Sequence, residues 1–329
     1  MTLQLISVAL PVRNGANFLA EALDSILAQT WSDFTLHVSD NASDDATPDI
    51  LADYAARDAR VQVSRCAELI PQAANVNRAV RLGGSRWVKL FCHDDVMRVD
   101  CLDALVQAIC AVEGTSVALL GSGERHLFSN GFLTEERPDQ ALAIAPGRRQ
   151  LRRRFSGDPA ALPMPSLTTA TVRRDAFAAQ GGFDQKYVHF DVFCWYEMLT
   201  KWDYAFLPAQ LTINRIHGGQ VAVAARASLR SVHDHRNFLD DFIRRNGAEI
   251  GLNTAGRLRT KLIAPGLAAG ALVVAMRSRQ WKQVAQMLGR IPPSWLPLMP
   301  ALVARTWRHE ARRLAKFHGK VPSELLYGA

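Results

Sequence analysis

The chain has 329 residues, 48% of them hydrophobic and 21% charged, a make-up that suits a globular protein with a full core and excludes a disordered or fibrous one. Its net charge of +8 is uneven: Lys and Arg number 21 against 25 Asp and Glu over residues 1–225, but 18 against 6 over 226–329. Five cysteines, an odd number without metal-type pairing, argue against a zinc site and for the reduced thiols of a cytosolic setting.

Met1 to Ile6 lacks a basic region followed by a long apolar stretch, so it reads as the approach to a first strand and not as a signal peptide. Leu5 to Leu10 is that strand, ended by Pro11, with Arg13-Asn14-Gly15 as the turn after it. Phe18, Leu19, Ala22, Leu23, Ile26 and Leu27 recur at helical spacing, with Asn17 as the expected cap. Phe34 to Ser39 is a second strand and Asp40 to Asp45 the loop behind it. A helix follows to about Ala56, then a strand at Val61 to Ser64, a helix at Asn75 to Leu82 stopped by Gly83-Gly84, and an apolar strand at Trp87 to Phe91.

That fourth strand empties into Cys92-His93-Asp94-Asp95. Adjacent carboxylates at a strand end suit a hard divalent cation and a substrate phosphate, and they equally suit the capping of the helix that begins near Asp100. Alternating strands and helices call for a doubly wound, mostly parallel α/β sheet, in which Asn14, Asp40 to Asp45 and His93 to Asp95 meet on one edge. No Gly-x-Gly-x-x-Gly follows the first strand, so dinucleotide binding is disfavoured.

Further on, a helix over Leu102 to Ile109 leads to a strand at Val117 to Leu120. The dense basic run Arg148 to Arg154 is either a solvated helix face or a holder for an anionic leaving group or acceptor. Thr168 to Val172 is a strand and Arg174 to Ala179 a short helix. Tyr187 to Asp191 leads into an aromatic helix, and a strand at Leu211 to Ile216 ends at His217-Gly218-Gly219-Gln220. Beyond about Ala224 the alternation gives way to basic helices. Leu262 to Met276, about fifteen residues, is too short for a transmembrane span. Trp281, Trp295 and Trp307 among Arg277, Lys282, Arg305 and Arg308 suit either a helix lying in an anionic head-group layer or helices packed on the body with basic outer faces. The tail carries no recognised nucleic-acid-reading module, so no nucleic acid is expected as a partner.

Six pieces in order resemble the family 2 glycosyltransferases of the GT-A fold: Val8 to Asn14, Val38 to Asp45, Asn77 before its Gly turn, His93-Asp94-Asp95, Gly181 to Asp184, and Arg215-Ile216-His217. The resemblance covers roughly residues 5 to 220. It implies a Rossmann-like, mostly parallel sheet flanked by helices as a catalytic domain over 1–225, with a helical basic extension over 226–329. It further implies an inverting transfer from a nucleotide-diphosphate sugar, UDP- or dTDP-linked by preference, to a hydroxyl of a saccharide or lipid-linked saccharide. Pro11, Asn14, Asp40, Asn77 and Asp94 then bind the nucleotide, with Asp40 accepting from a ring N–H of the base. Asp94, Asp95 and His217 hold Mn²⁺ or Mg²⁺, Cys92 standing where many members carry the first acid. Asp191 is the general base and His189 its alternative. The setting implied is bacterial-type surface-polysaccharide or glycolipid assembly at the cytoplasmic face of an anionic membrane, with a homo-oligomer admitted. A non-catalytic nucleotide-sugar or polyanion-binding protein is the competing reading.

Overall fold

A computed structural model describes residues 4–128, 130–138, 140–217, 230–277, 279 and 281–316. Strand and helix alternate through β1 (Ile6–Val12), α1 (Leu19–Leu27), β2 (Leu36–Asp40), α2 (Thr47–Arg57), β3 (Val61–Arg65), α3 (Gln72–Leu82) and β4 (Trp87–Leu90). The short β5 (Val96–Met97), α4 (Cys101–Ala111), β6 (Val117–Phe128), β7 (Ala143–Ala145) and α5 (Gly147–Ser156) follow. Then come β8 (Ala170–Arg173), α6 (Arg174–Gln180), α7 (Phe190–Met198) and β9 (Asp203–Ile216).

These strands form one sheet in the order β3-β2-β1-β4-β8-β6-β9-β5, with β7 on β9. β1, β2, β3 and β4 pair in parallel, as does β6 with β9. β8 enters antiparallel between β4 and β6, which makes the sheet mixed, in keeping with the mostly parallel arrangement expected. The connection 157–169 brings Thr168 beside Cys92, just past the end of β4, so β8 runs back along β4 from that end. β6 and β9 also extend well beyond the apolar runs that announce them, because their outer halves are only half-buried. The expected Asn17 cap is not used; α1 starts after Phe18 with no side-chain cap.

Both faces of β1 are covered, which is why its sequence is nearly all apolar. Ile6, Val8, Leu10 and Val12 join Leu19, Ala22, Leu23 and Ile26 of α1 in one core, while Ala9 joins the opposite core with Val76 and Val80 of α3. Strand period two and helix spacing i, i+3, i+4, i+7 thus sort the chain into layers.

Helices alone make up the described part of the chain after residue 229: α8 (Arg230–Asn246), α9 (Thr254–Lys261), α10 (Ile263–Arg277), α11 (Trp281–Arg290), a 3₁₀ segment at Pro293–Leu298, and α12 (Met299–Lys316). The expected boundary between residues 225 and 226 lies outside the described residues. α8 is rooted in the core beside the sheet: Phe238 stacks on Phe193 of α7 with centroids 4.1 Å apart, and Phe242 sits 6.0 Å from Phe155 of α5. The apolar stretch of α10 is a core helix, Ala264, Ala268 and Leu272 packing with Met287, Trp295 and Met299. Among the described residues no helix is long and apolar enough to cross a membrane. Because Phe242 is fully buried, Phe242→Ala is expected to cost about 3–5 kcal/mol. Leu288→Ala, at a half-exposed position, is expected to stay within about 0.5 kcal/mol. Urea unfolding of both variants checks this.

Candidate active site

The loops after β1 and β2 are stitched together by polar contacts. Asn14, in the left-handed region at φ 50°, donates from its backbone to Ser43 Oγ at 2.9 Å and exchanges bonds of 2.6 and 3.0 Å with Asp44. Arg13 donates to the carbonyls of Asn41 and Ala42, and Gly15 N–H to Thr47 Oγ1. A Cβ on Gly15 would lie 2.6 Å from the His93 ring, so this glycine is what lets the third loop close against the first. Pro11 lies opposite Ser39 in the register of β1 and β2.

Asp40 is buried at the end of β2. Its Oδ1 accepts from the Ser43 N–H and hydroxyl, and its Oδ2 accepts from Arg65 at 3.1 Å. Oδ2 therefore retains lone-pair capacity. Asn75 and Arg78, both holding Ser39, complete the support under this loop. Asn77 is used differently from the nucleotide contact expected of it: its amide accepts from Phe183 N–H at 2.8 Å and donates to Phe183 O at 2.9 Å. The turn it clamps needs Gly182, whose φ is +72° and whose Cβ would meet Asn77 Oδ1 at 2.6 Å.

After β4, the two adjacent carboxylates have separate surroundings. Asp95 is 2% exposed; it accepts from Arg215 N–H at 2.9 Å and from the Thr168 hydroxyl. Burial, then the neighbouring Asp94, push its carboxyl up to about 7. Asp94 is more open and lies 3.1 Å from His217 Nε2. Its carbonyl accepts from Arg215 Nε, while the Arg215 head pairs with Glu21 at 2.6 Å and stacks over Phe18. Neither acid caps α4, which starts after Asp100 without a side-chain cap.

Sulfur and oxygen atoms of Cys92, Asp94 and Asp95 lie within 4.8 Å of one another, so a divalent cation has donors here. Their chemistry ranks them. Burial, then the two acids, raise the Cys92 thiol well above its ordinary value, and a neutral thiol is a poor ligand for a hard ion. Asp95 is already engaged by Thr168 and Arg215. Asp94, with His217 beside it, is the carboxylate here that could serve a hard divalent cation. The remainder of the motif His217 to Gln220 lies outside the described residues.

Beneath the acids Lys89 is fully buried, donating its ammonium to Thr168 O, and burial lowers its pKa. Thr168 thus links Lys89 to Asp95, and its hydroxyl also accepts from Cys92 N–H at 3.2 Å. Lys89 was legible as an oddity inside the apolar Trp87 to Phe91; nothing local marks Thr168, which long-range pairing of β8 brings in.

Asp191 stands in the first turn of α7, a helix that starts after His189 with no side-chain cap bond. Burial raises its carboxyl above the usual range, and its charge adds to the effect of Asp95 and Asp94 in raising the Cys92 thiol. His189 is engaged by α8: its Nε2 is 2.6 Å from Ser231 Oγ, and its ring is 4.8 Å from that of His235. Asp234 of α8 accepts from Val188 N–H. The helical extension therefore braces the segment that presents Asp191.

Residues 7–178 match the family model described as glycosyl transferase family 2. Among curated proteins, the chain is 24% identical over 240 residues to an uncharacterized glycosyltransferase of Rickettsia prowazekii, 70% of each chain being covered. It is 28% identical over 120 residues to the putative teichuronic acid biosynthesis glycosyltransferase TuaG of Bacillus subtilis, covering 35% of this chain and 48% of that one. Solved structures share the fold. S. aureus TarS 1–349 with UDP-GlcNAc matches at TM-score 0.54 and 13% identity over 86% of this chain and 90% of that one. The mannosyltransferase PcManGT of Pyrobaculum calidifontis with GDP-Man and Mn²⁺ matches at TM-score 0.58 and 17% identity, over 93% and 86%. With the family model spanning more than half the chain over a GT-A sheet whose polar loops meet at one edge, this protein belongs to glycosyl transferase family 2 and is a glycosyltransferase.

Proposed function

We propose that the chain transfers a sugar, with inversion, from a UDP- or dTDP-linked donor to a hydroxyl of a saccharide or lipid-linked saccharide in surface-polysaccharide or glycolipid assembly. What supports the reading is the closing of the β1 and β2 loops on each other and on His93 at one sheet edge, with Asp94 beside His217 there and a buried Asp191 whose charge reaches Cys92. The spare capacity on Asp40 Oδ2 suits a ring N–H of uracil or thymine, and the Asn14 loop walls the base.

Asp94 and His217 hold the divalent cation, which when bound offsets charge on the leaving diphosphate. Asp95 keeps Asp94 and the β9 end together through Arg215 and Thr168, so its part is to set the shape of the corner. The acceptor hydroxyl attacks the anomeric carbon as its proton passes to Asp191, and the bond from that carbon to the diphosphate oxygen breaks. A carboxylate made more basic by burial is suited to that task.

The described helices between 230 and 316 serve as brace and membrane-facing surface in this reading. Trp281, Leu288, Leu296 and Trp307 are exposed close in sequence to Lys282, Arg290 and Arg305, a composition that suits the cytoplasmic face of an anionic bilayer. The donor reading is tested by melting: UDP or dTDP with Mn²⁺ at about a hundred times Kd is expected to raise Tm by about 5 °C. Asp94→Ala removes the shift. A folded protein that responds to no nucleoside diphosphate rejects it.

A further inference from the structure

The basic run in α5 splits between two faces of that helix. Leu151 and Phe155 enter the core, whereas Arg149, Arg152, Arg153 and Ser156, at spacing i, i+3, i+4, i+7, line a cavity of about 280 Å³ facing the turn between α8 and α9. Asp158 and Asn253 complete its polar wall. None of these residues belongs to the sugar-nucleotide corner.

The charges in this cavity are not balanced. Arg148, which does not line it, pairs with Glu249 at 2.8 Å, and Arg154 donates to the Tyr196 hydroxyl. Inside it, Asp158 lies 3.5 Å from Arg153. Arg149 and Arg152 have no hydrogen-bond or ion-pair partner among the described residues. Two guanidinium groups therefore share one concavity with a single carboxylate that already has a cation. Asn253 accepts from Gly256 N–H at 2.8 Å through its Oδ1, which leaves its amide N–H groups as donors at the same wall.

We propose that this cavity is a binding site for a phosphate group. Planar guanidinium forks match phosphate oxygens, and a bound phosphate offsets the mutual repulsion of Arg149 and Arg152. The phosphate is either a free anion or the phosphodiester of a membrane lipid. Leu258 on α9, 61% exposed, and Leu262 at its end supply apolar surface in the same segment that suits the lipid source.

The experiment titrates the full chain with inorganic phosphate by calorimetry and sediments it with phosphatidylglycerol vesicles, phosphatidylcholine vesicles serving as control. Arg149→Ala with Arg152→Ala, both exposed helix positions, is expected to weaken binding about tenfold while UDP affinity stays as in the parent. An arginine-dependent response to inorganic phosphate supports a free-anion site; one to phosphatidylglycerol alone supports a lipid site. Equal binding by parent and double variant, or no binding of either probe by the folded parent, overturns the proposal.

Discussion

Asp191→Asn is expected to lower kcat by about 10²–10⁴-fold, with the donor KM changed by no more than about twofold. The substitution keeps size and polarity at the first turn of α7, where no side-chain cap bond is at stake, while the proton acceptor is lost. Steady-state release of nucleoside diphosphate in the presence of acceptor measures the effect. A matching pH profile separates a base from a merely structural role. Burial holds the Asp191 pKa above its ordinary 3.8, and only the ionised form accepts a proton, so kcat/KM falls as pH is lowered through that raised value. In Asp191→Asn this acid limb disappears. Unchanged kcat in the variant would remove Asp191 from the mechanism. His189, bonded to Ser231 and packed on His235, is then the next group to replace.

Asp94→Asn is expected to lower kcat/KM by about 10²–10³-fold and to abolish the Mn²⁺-dependent part of UDP binding. The amide retains one oxygen near His217 but loses the charge that a hard cation requires. The two variants are distinguishable: Asp191→Asn binds UDP and Mn²⁺ like the parent and fails in transfer, whereas Asp94→Asn fails already in binding. Calorimetric titration of Mn²⁺ in saturating UDP reads the difference. A parent-like Mn²⁺ affinity in Asp94→Asn would shift the cation site to other residues.

How much of this was legible beforehand varies by residue. The corner was marked by acids at the end of the apolar Trp87 to Phe91, and the Asp40 to Asp45 loop by polar residues directly after a short strand, both local signals. Asp94 and Asp95 could not be told apart, because neighbours in sequence share every local feature. The structure separates them by burial and partners: Thr168 and the Arg215 backbone for Asp95, His217 for Asp94. Arg65 on Asp40, and the use of Asn77 on Phe183, were equally out of reach, since each contact joins elements that do not adjoin in the chain.

The sequence by itself determined the alternation of strand and helix, the apolar faces that cover both sides of β1, and the polar loops that such a sheet must gather at one edge. These follow from side-chain periodicity and from Pro and Gly breakers, which act over a few residues. Only the tertiary structure decided that β8 enters antiparallel beside β4, that Lys89 and Asp95 meet through Thr168, and that α8 inserts Phe238 and Phe242 into the catalytic core. Those outcomes depend on strand order and on which apolar face finds which partner. Both are set by burying surface across the whole chain, and no single stretch encodes them.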